Sequence, residues 1–156
     1  MNNAVINGEL FVCYPDGFSV MEENELKKFF TTIQDRWGIY NKDIHTIISF
    51  AKTKESTLLS FVTDAKSVAK GLEARHKISL KNYQRKESSC KTVLKNKAYT
   101  CSFTYTADDA DVKQCGRLIV FKFGKCFYTV YCTAREDCAS QGYQALDAVM
   151  DSLRKA

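Results

Sequence analysis

The stretch AYTCSFTYTADDADVKQCGRLIVFKFGKCFYTVYCT, residues 98–133, decides the fold of this chain. Aromatic or apolar residues stand at every second position from Tyr99 to Tyr105 and alternate with serine or threonine, the pattern of a strand with one buried face. The runs Cys115–Phe123 and Cys126–Thr133 are also strand-like, and Gly124 with its neighbouring lysine forms a turn between them. Three successive strands with short connections predict an antiparallel sheet.

The segments on either side of this stretch extend the sheet and cover it. Gln84–Val93 is polar and charged, which is typical of an edge strand protected from association with other sheets, and a turn at Lys95–Lys97 follows it. After the sheet, a final helix is predicted from about Ser140 to Arg154. Its apolar residues fall on one face: Tyr143, Leu146, Val149, Met150 and Leu153.

The N-terminal third predicts two short strands and a helix. Leu10–Tyr14 is strand-like, a Pro-Asp-Gly turn follows, and Phe18–Val20 resumes a strand. Asn24 can cap a helix that Gly38 ends. Its apolar residues recur at helical spacing and are expected in the core: Leu26, Phe29, Phe30, Ile33 and Trp37.

The middle of the chain predicts a central strand and a second helix. Ile44–Ala51 is apolar on both faces, as in a strand covered on both sides. A turn at Lys52–Ser56 and a strand at Thr57–Val62 suggest a hairpin. Thr63 or Asp64 then caps a helix. Its inward residues are expected to be Ala65, Val68, Ala69 and Leu72.

The order of elements predicts an α+β fold. We expect a three-layer α/β/α sandwich with a central antiparallel sheet of about six to seven strands, flanked by about three helices. The chain has 156 residues, of which 45% are hydrophobic and 26% charged, so one domain over residues 1–156 is expected.

Composition also bears on the compartment. No run approaches the roughly 20 apolar residues of a membrane helix, and Met1–Glu9 lacks the features of a signal peptide. None of the seven cysteines forms a C-x-x-C pair. Reduced thiols and a cytoplasmic location are therefore expected. A chain from which a leader had been removed would look the same, so an extracytoplasmic location stays open.

Two quoted segments resemble the Mog1/PsbP-like superfamily, which includes DcrB-like bacterial proteins. YPDGFSV (Tyr14–Val20) is similar to that group's early strand and turn. GRLIVFKFGKCFYTVYCTARED followed by ALDAVMDSLRK is similar to its late paired strands and terminal helix. The resemblance implies this fold and a non-enzymatic binding role, since the group serves photosystem assembly, binding of a small GTPase and effector chaperoning. No GTPase-binding or manganese-site pattern carries over.

The sequence contains no recognised catalytic or cofactor motif. Phosphate-binding loops, dinucleotide fingerprints and nucleophile elbows are missing from it. His45 and His76 are the natural acid–base candidates, and either could pair with a cysteine in a thiol-dependent enzyme. Asp108, Asp109 and Asp111 share a loop without the EF-hand pattern, so a solvated loop is expected. We therefore expect no enzyme, no cofactor and no metal.

Charge is distributed unevenly along the chain. Residues 66–97, the basic segment, hold ten lysines and arginines and two glutamates, a net +8 that leaves −3 for the rest of a chain carrying +5. Such a segment attracts acidic partners. The hypotheses are an acidic protein partner, nucleic acid, or a solvated helix face with a charged edge strand. The candidate binding residues are Lys77, Lys81, Tyr83, Arg85 and Lys86, with Tyr40 as a separate aromatic candidate.

Overall fold

The computed structural model describes residues 1–54, 64–107 and 111–156. Within these ranges the helices are α1 (Glu23–Phe29), α2 (Ala65–Ser79) and α3 (Ala139–Ser152), the last preceded by a 3₁₀ turn at Glu136–Cys138. The strands are β1 (Asn2–Ile6), β2 (Leu10–Tyr14), β3 (Ser19–Val20), β4 (Arg36–Asn41), β5 (Thr46–Lys54), β6 (Lys81–Val93), β7 (Asn96–Thr106), β8 (Lys113–Phe123), β9 (Cys126–Arg135) and β10 (Arg154–Lys155).

Seven of these strands form one antiparallel sheet in the order β3-β4-β5-β9-β8-β7-β6. The predicted antiparallel sheet of the C-terminal third is confirmed, and so is the edge position of β6. Strand β5 pairs with β4 on one side and β9 on the other, as expected for a central strand. The turn between β8 and β9 contains Gly124 at φ 61°, a conformation that glycine adopts without strain.

Helices cover both faces of the main sheet, which confirms the predicted three layers. On one face, α3 packs on an apolar cluster that includes Ile48, Phe50 and Leu146. On the other face, Ala65 and Ala69 of α2 pack against residues of β7, β8 and β9. α1 shares this second face, because residues at its end and residues of α2 line a common groove.

A second, three-stranded sheet was not predicted. It has the order β1-β2-β10, and it joins the two termini because Arg154 pairs with Phe11 and Lys155 with Leu10. The Arg154 guanidinium lies 3.9 Å from the centre of the Phe11 ring. The predicted extension of the last helix to Arg154 is therefore wrong, since α3 ends at Ser152 and the following residues become extended.

The predicted helix from Asn24 to Trp37 is also wrong beyond its first two turns. The cap is Glu22, one part of a capping box with Glu25, and the helix ends at Phe29. Trp37 and Gly38 belong to β4 instead and pair with β5. Pairing with β5 satisfies the backbone hydrogen-bonding groups of Trp37 and Gly38. This stabilisation outweighs the helical preference that the spacing of a short apolar run indicates.

Around β5, the observed boundaries of the elements differ by a few residues from the predicted ones. This strand continues to Lys54, so the turn predicted at Lys52–Ser56 begins too early. The strand predicted at Thr57–Val62 and the alternative cap Thr63 lie outside the described residues. His45, expected in a strand, is exposed in the preceding turn with φ 44°.

The second helix and the turn after β6 are close to the prediction. Asp64 caps α2, and its carboxylate accepts a hydrogen bond of 2.8 Å from the Ser67 backbone N–H. The turn predicted at Lys95–Lys97 lies one residue earlier, because Leu94 and Lys95 have positive φ and β7 already begins at Asn96.

Candidate functional site

Three of the predicted binding residues meet where α2 lies along the edge strand. Lys77 on α2 faces Tyr83 and Arg85 on β6 across a shallow groove of about 320 Å³. We call this the α2–β6 surface. Its lining is completed by Lys70, Glu73 and Ala74. Only Leu80 separates α2 from β6, so the two elements turn back on one another and bring residues 70–85 together.

The acid in this surface is engaged inside it. The Glu73 carboxylate accepts a hydrogen bond of 3.2 Å from the Tyr99 hydroxyl and lies 3.7 Å from an Arg85 nitrogen, with its side chain only 13% exposed. Lys70 and Lys77 form no ion pair within the described part of the chain. As far as the described residues show, the surface therefore presents unpaired positive charge to solvent.

Tyr83 forms a wall of the surface and is not a free aromatic platform. Its ring centre lies 5.5 Å from that of Phe103 and 6.0 Å from that of His76. Its hydroxyl is buried and has no hydrogen-bond partner among the described residues. Burial raises the pKa of Tyr83 to about 12, so the phenol stays neutral.

Lys81 and Lys86 are held apart from this surface by other contacts. The Lys81 ammonium lies 2.6 Å from the Asp111 carboxylate in an exposed ion pair. The Lys86 ammonium donates to the side-chain oxygen of Gln84 at 2.9 Å. Lys86 also borders an open polar depression of about 490 Å³ near Glu136 at the edge of the sheet.

Tyr40 lies in a different region. It belongs to β4, and four strands separate β4 from β6 in the sheet. The ring is half-buried, with its centre 6.5 Å from the ring centre of Phe29. The six candidates therefore do not form one site.

Sequence reasoning missed a second groove on the same face, between the end of α1 and the end of α2. This α1–α2 groove has a volume of about 240 Å³. Phe29 and Phe30 line one side, and His76 and Leu80 the other. Arg36 lies within the groove, above strands of the main sheet. The error in the length of α1 concealed it, because a helix through Trp37 would not place Arg36 on a strand.

His76 lies in the wall of this groove. Its Nε2 atom lies 2.8 Å from the Tyr131 hydroxyl, while its Nδ1 atom is buried without a partner in the described residues. Burial lowers the pKa of His76, and the nearby Glu73 carboxylate opposes that shift only in part. The imidazole is therefore neutral at pH 7.

All seven cysteines are free thiols, and the environments of three disfavour a reactive thiolate. Burial raises the pKa of Cys132 to about 12. Burial, reinforced by Glu73, also raises the pKa of the Cys101 thiol, and burial raises that of Cys115. Reactive cysteines show the opposite shift. Cys132 packs in the core beneath α3 and Cys101 in the core beneath α2.

The described residues contain no group of three or more potential metal ligands. Asp111 pairs with Lys81, and Asp108 and Asp109 lie outside the described residues. No helix in the described ranges is long and apolar enough to cross a membrane.

Comparison with known proteins places the fold. No family model matches the chain, and no curated protein matches it. Among solved structures, the Ran-binding protein Mog1p of Saccharomyces cerevisiae superposes with a TM-score of 0.64 at 9% identity, over 99% of this chain and 95% of that one.

Two further solved structures show the same fold. LpqN of Mycobacterium tuberculosis, involved in cell envelope biogenesis, superposes with a TM-score of 0.66 at 13% identity, covering 94% of this chain and 83% of its own. Cyanobacterial PsbP of Synechocystis sp. PCC 6803 gives 0.62 at 12% identity, covering 94% and 86%. The chain thus has a Mog1/PsbP-like fold. At these identities the likeness concerns the fold alone.

Proposed function

We propose that this chain, with its Mog1/PsbP-like fold, is a non-enzymatic binding module that recognises an acidic segment of a partner protein at the α2–β6 surface. The observation that carries the proposal is the convergence of Lys70, Lys77 and Arg85 around one groove whose acid, Glu73, is already engaged. An acidic segment would supply the counter-charges that Lys70 and Lys77 lack among the described residues, and such complementarity accelerates association and selects partners.

The rest of the basic segment strengthens this positive field. Of its ten basic side chains, only Lys81 and Arg85 form ion pairs within the ranges that the structure describes. Exposed lysines attract an acidic partner over roughly a Debye length of 8–10 Å. Binding of the acidic segment should therefore weaken as the salt concentration rises.

One structural neighbour supports a protein partner in general terms. Mog1p is described as a Ran-binding protein, so one protein of this fold binds another protein. That name does not indicate which partner this chain has.

A thiol-dependent enzyme is the second hypothesis from the sequence, and the site chemistry opposes it. The pKa values of Cys101, Cys115 and Cys132 are raised, and His76 is engaged with Tyr131. A nucleophilic cysteine needs a lowered pKa or an adjacent base.

Nucleic-acid binding is the third hypothesis. Base stacking requires an accessible aromatic face, and each stacked base contributes about 1–3 kcal/mol. Tyr83 has its hydroxyl buried and packs against Phe103, so it offers little of such a face. The positive charge of the basic segment can still bind phosphates, but without the free energy of base stacking.

For the compartment we propose a reducing one, as expected from the sequence. The support is that all seven cysteines are free, including the exposed Cys90. Thiols persist in a reducing cytoplasm, whereas exported proteins tend to form disulfides.

The test is direct binding to a fluorescent 15-residue peptide of glutamate, aspartate and glycine, compared with a single-stranded oligonucleotide of equal charge. The double variant Lys77→Glu/Arg85→Glu should weaken peptide binding at least about tenfold. The matched control Lys42→Glu/Lys125→Glu makes the same charge change at exposed turn residues and should bind nearly as wild type.

Two results would contradict the proposal. Equal loss of binding in both double variants would mean that overall charge, not this surface, binds the peptide. Tighter binding of the oligonucleotide, reduced by Tyr83→Ala, would favour nucleic acid. If the peptide behaves as expected, a pull-down from native lysate with wild type and the Lys77/Arg85 double variant would identify the natural partner.

A further inference from the structure

Within the described residues, three arginines lie over aromatic rings at similar distances: Arg36, Arg117 and Arg154. Arg36 and Arg117 belong to the main sheet, and of these two only Arg117 forms an ion pair with a carboxylate in the part of the chain that the structure describes. Arg117 on β8 lies 4.1 Å from the centre of the Tyr143 ring, and one of its nitrogens is 3.3 Å from Asp147. Arg36 lies 4.1 Å from the centre of the Phe30 ring. Among residues 1–54, 64–107 and 111–156, no carboxylate forms an ion pair with Arg36.

The environment of Arg36 makes this difference significant. Burial lowers the pKa of the Arg36 guanidinium, and Tyr131 opposes that shift in part, yet an arginine remains charged. Its Nε–H donates to the Thr32 carbonyl at 2.9 Å, and one terminal nitrogen donates to the Ser49 hydroxyl at 3.3 Å. Bonds to the described residues thus use two of its five N–H groups, which leaves three available to a ligand.

The groove around Arg36 supplies apolar contacts next to that charge. Phe29, Phe30 and Leu80 border it, and Phe29 is 53% exposed at its rim. Ligand pockets combine mostly apolar walls with a few fixed polar groups, and they usually measure about 300–1,000 Å³. A volume of about 240 Å³ therefore suits a small ligand with a single ring or a short aliphatic body.

We propose that the α1–α2 groove is a binding site for a small carboxylic acid with an aromatic or aliphatic body, whose carboxylate pairs with the Arg36 guanidinium. The planar guanidinium can hold a carboxylate through two parallel hydrogen bonds. The apolar body then lies between Phe29 and Phe30 on one side and Leu80 on the other. This site is separate from the α2–β6 surface, and it does not depend on the proposed acidic partner.

The test uses 3-phenylpropionate as the probe and 3-phenylpropionamide as its neutral match, titrated into the ¹⁵N-labelled full chain by NMR. The acid should cause saturable shifts at Arg36, His76 and Tyr131. The amide should bind at least about tenfold more weakly, because a hydrogen bond to a charged group is lost.

Variants separate the Arg36 pairing from general charge. Arg36→Gln should abolish the preference for the acid over the amide. Arg117→Gln removes a similarly stacked arginine elsewhere and should leave the preference unchanged. If Arg36→Gln does not fold, the comparison of acid with amide on the wild-type chain still tests the need for a carboxylate, and the positions of the shifted residues test the groove.

Four outcomes would overturn the proposal. The first three are equal affinities for acid and amide, shifts confined to the α2–β6 surface, and no saturable shift at about 10 mM probe, roughly ten times a millimolar Kd. A peptide that ends in phenylalanine is the last probe in the comparison. Tighter binding of that peptide than of 3-phenylpropionate would assign the groove to a chain terminus and overturn the assignment to a small molecule.

Discussion

Gly116 on β8 lies directly opposite Phe103 on β7, and a Cβ atom on Gly116 would lie 2.3 Å from Phe103 Cζ. The Phe103 ring therefore lies over the bare backbone of the neighbouring strand. In that position it contacts the rings of His76, Tyr83 and Tyr105. Because Gly116 has no side chain, Phe103 can contact aromatic residues of both the α2–β6 surface and the α1–α2 groove.

Substitution of Gly116 by alanine is expected to destabilise the protein. The new methyl group must displace the buried Phe103 ring, and overpacking of this kind costs about 1–3 kcal/mol of unfolding free energy. Urea unfolding followed by Trp37 fluorescence measures it. Gly71→Ala is the matched control: no atom lies within 4 Å of a Cβ there, so the helix should gain about 0.5–1 kcal/mol. An unchanged midpoint for Gly116→Ala would contradict the packing described here.

The cap of α2 gives a second prediction. Asp64→Ala removes the carboxylate that accepts from the Ser67 N–H, and the unfolding free energy should fall by about 1 kcal/mol. Asp64→Asn keeps an accepting oxygen and should cost much less. Thermal unfolding by circular dichroism checks both variants. Equal losses in the two would show that the cap hydrogen bond is not the cause.

His76 should make stability depend on pH. Its pKa in the folded protein lies below the ordinary value of 6.5, so the unfolded chain binds more protons as the pH falls past that value. The unfolding free energy should therefore decrease from pH 7 toward pH 5.5. In His76→Phe this decrease should largely disappear, as urea unfolding at several pH values would show. In His45→Asn, which removes the exposed histidine, it should remain. Persistence of the slope in His76→Phe would assign it to another group.

The cysteines should differ in reactivity by burial. Cys90 is exposed and should be alkylated first by iodoacetamide in the native state. Cys101 and Cys132 are buried and should react only on unfolding, because burial raises their thiol pKa values. Mass spectrometry of timed samples gives the order. Rapid modification of Cys101 or Cys132 in the folded chain would support the thiol-enzyme hypothesis instead.

Local patterns in the sequence were sufficient for much of the fold. The alternation from Tyr99 to Tyr105, the turn at Gly124 and the apolar face of α3 each depend on residues close together in the chain. The α2–β6 surface was partly predictable for the same reason, since Lys77, Tyr83 and Arg85 lie within nine residues of one another.

Only the tertiary structure decided the elements that depend on distant partners. Trp37 and Gly38 became a strand because β5 offers backbone hydrogen bonds, and Arg154 became extended because β2 lies beside it. Helical spacing in a short apolar run does not reveal such pairings, since their energy comes from residues far away in the sequence. The α1–α2 groove also depends on the pairing of β4 with β5. The charge of Arg36 is evident in the sequence. Its stacking on Phe30, without a carboxylate partner in the described chain, arises only because α1 ends early and β4 joins the sheet.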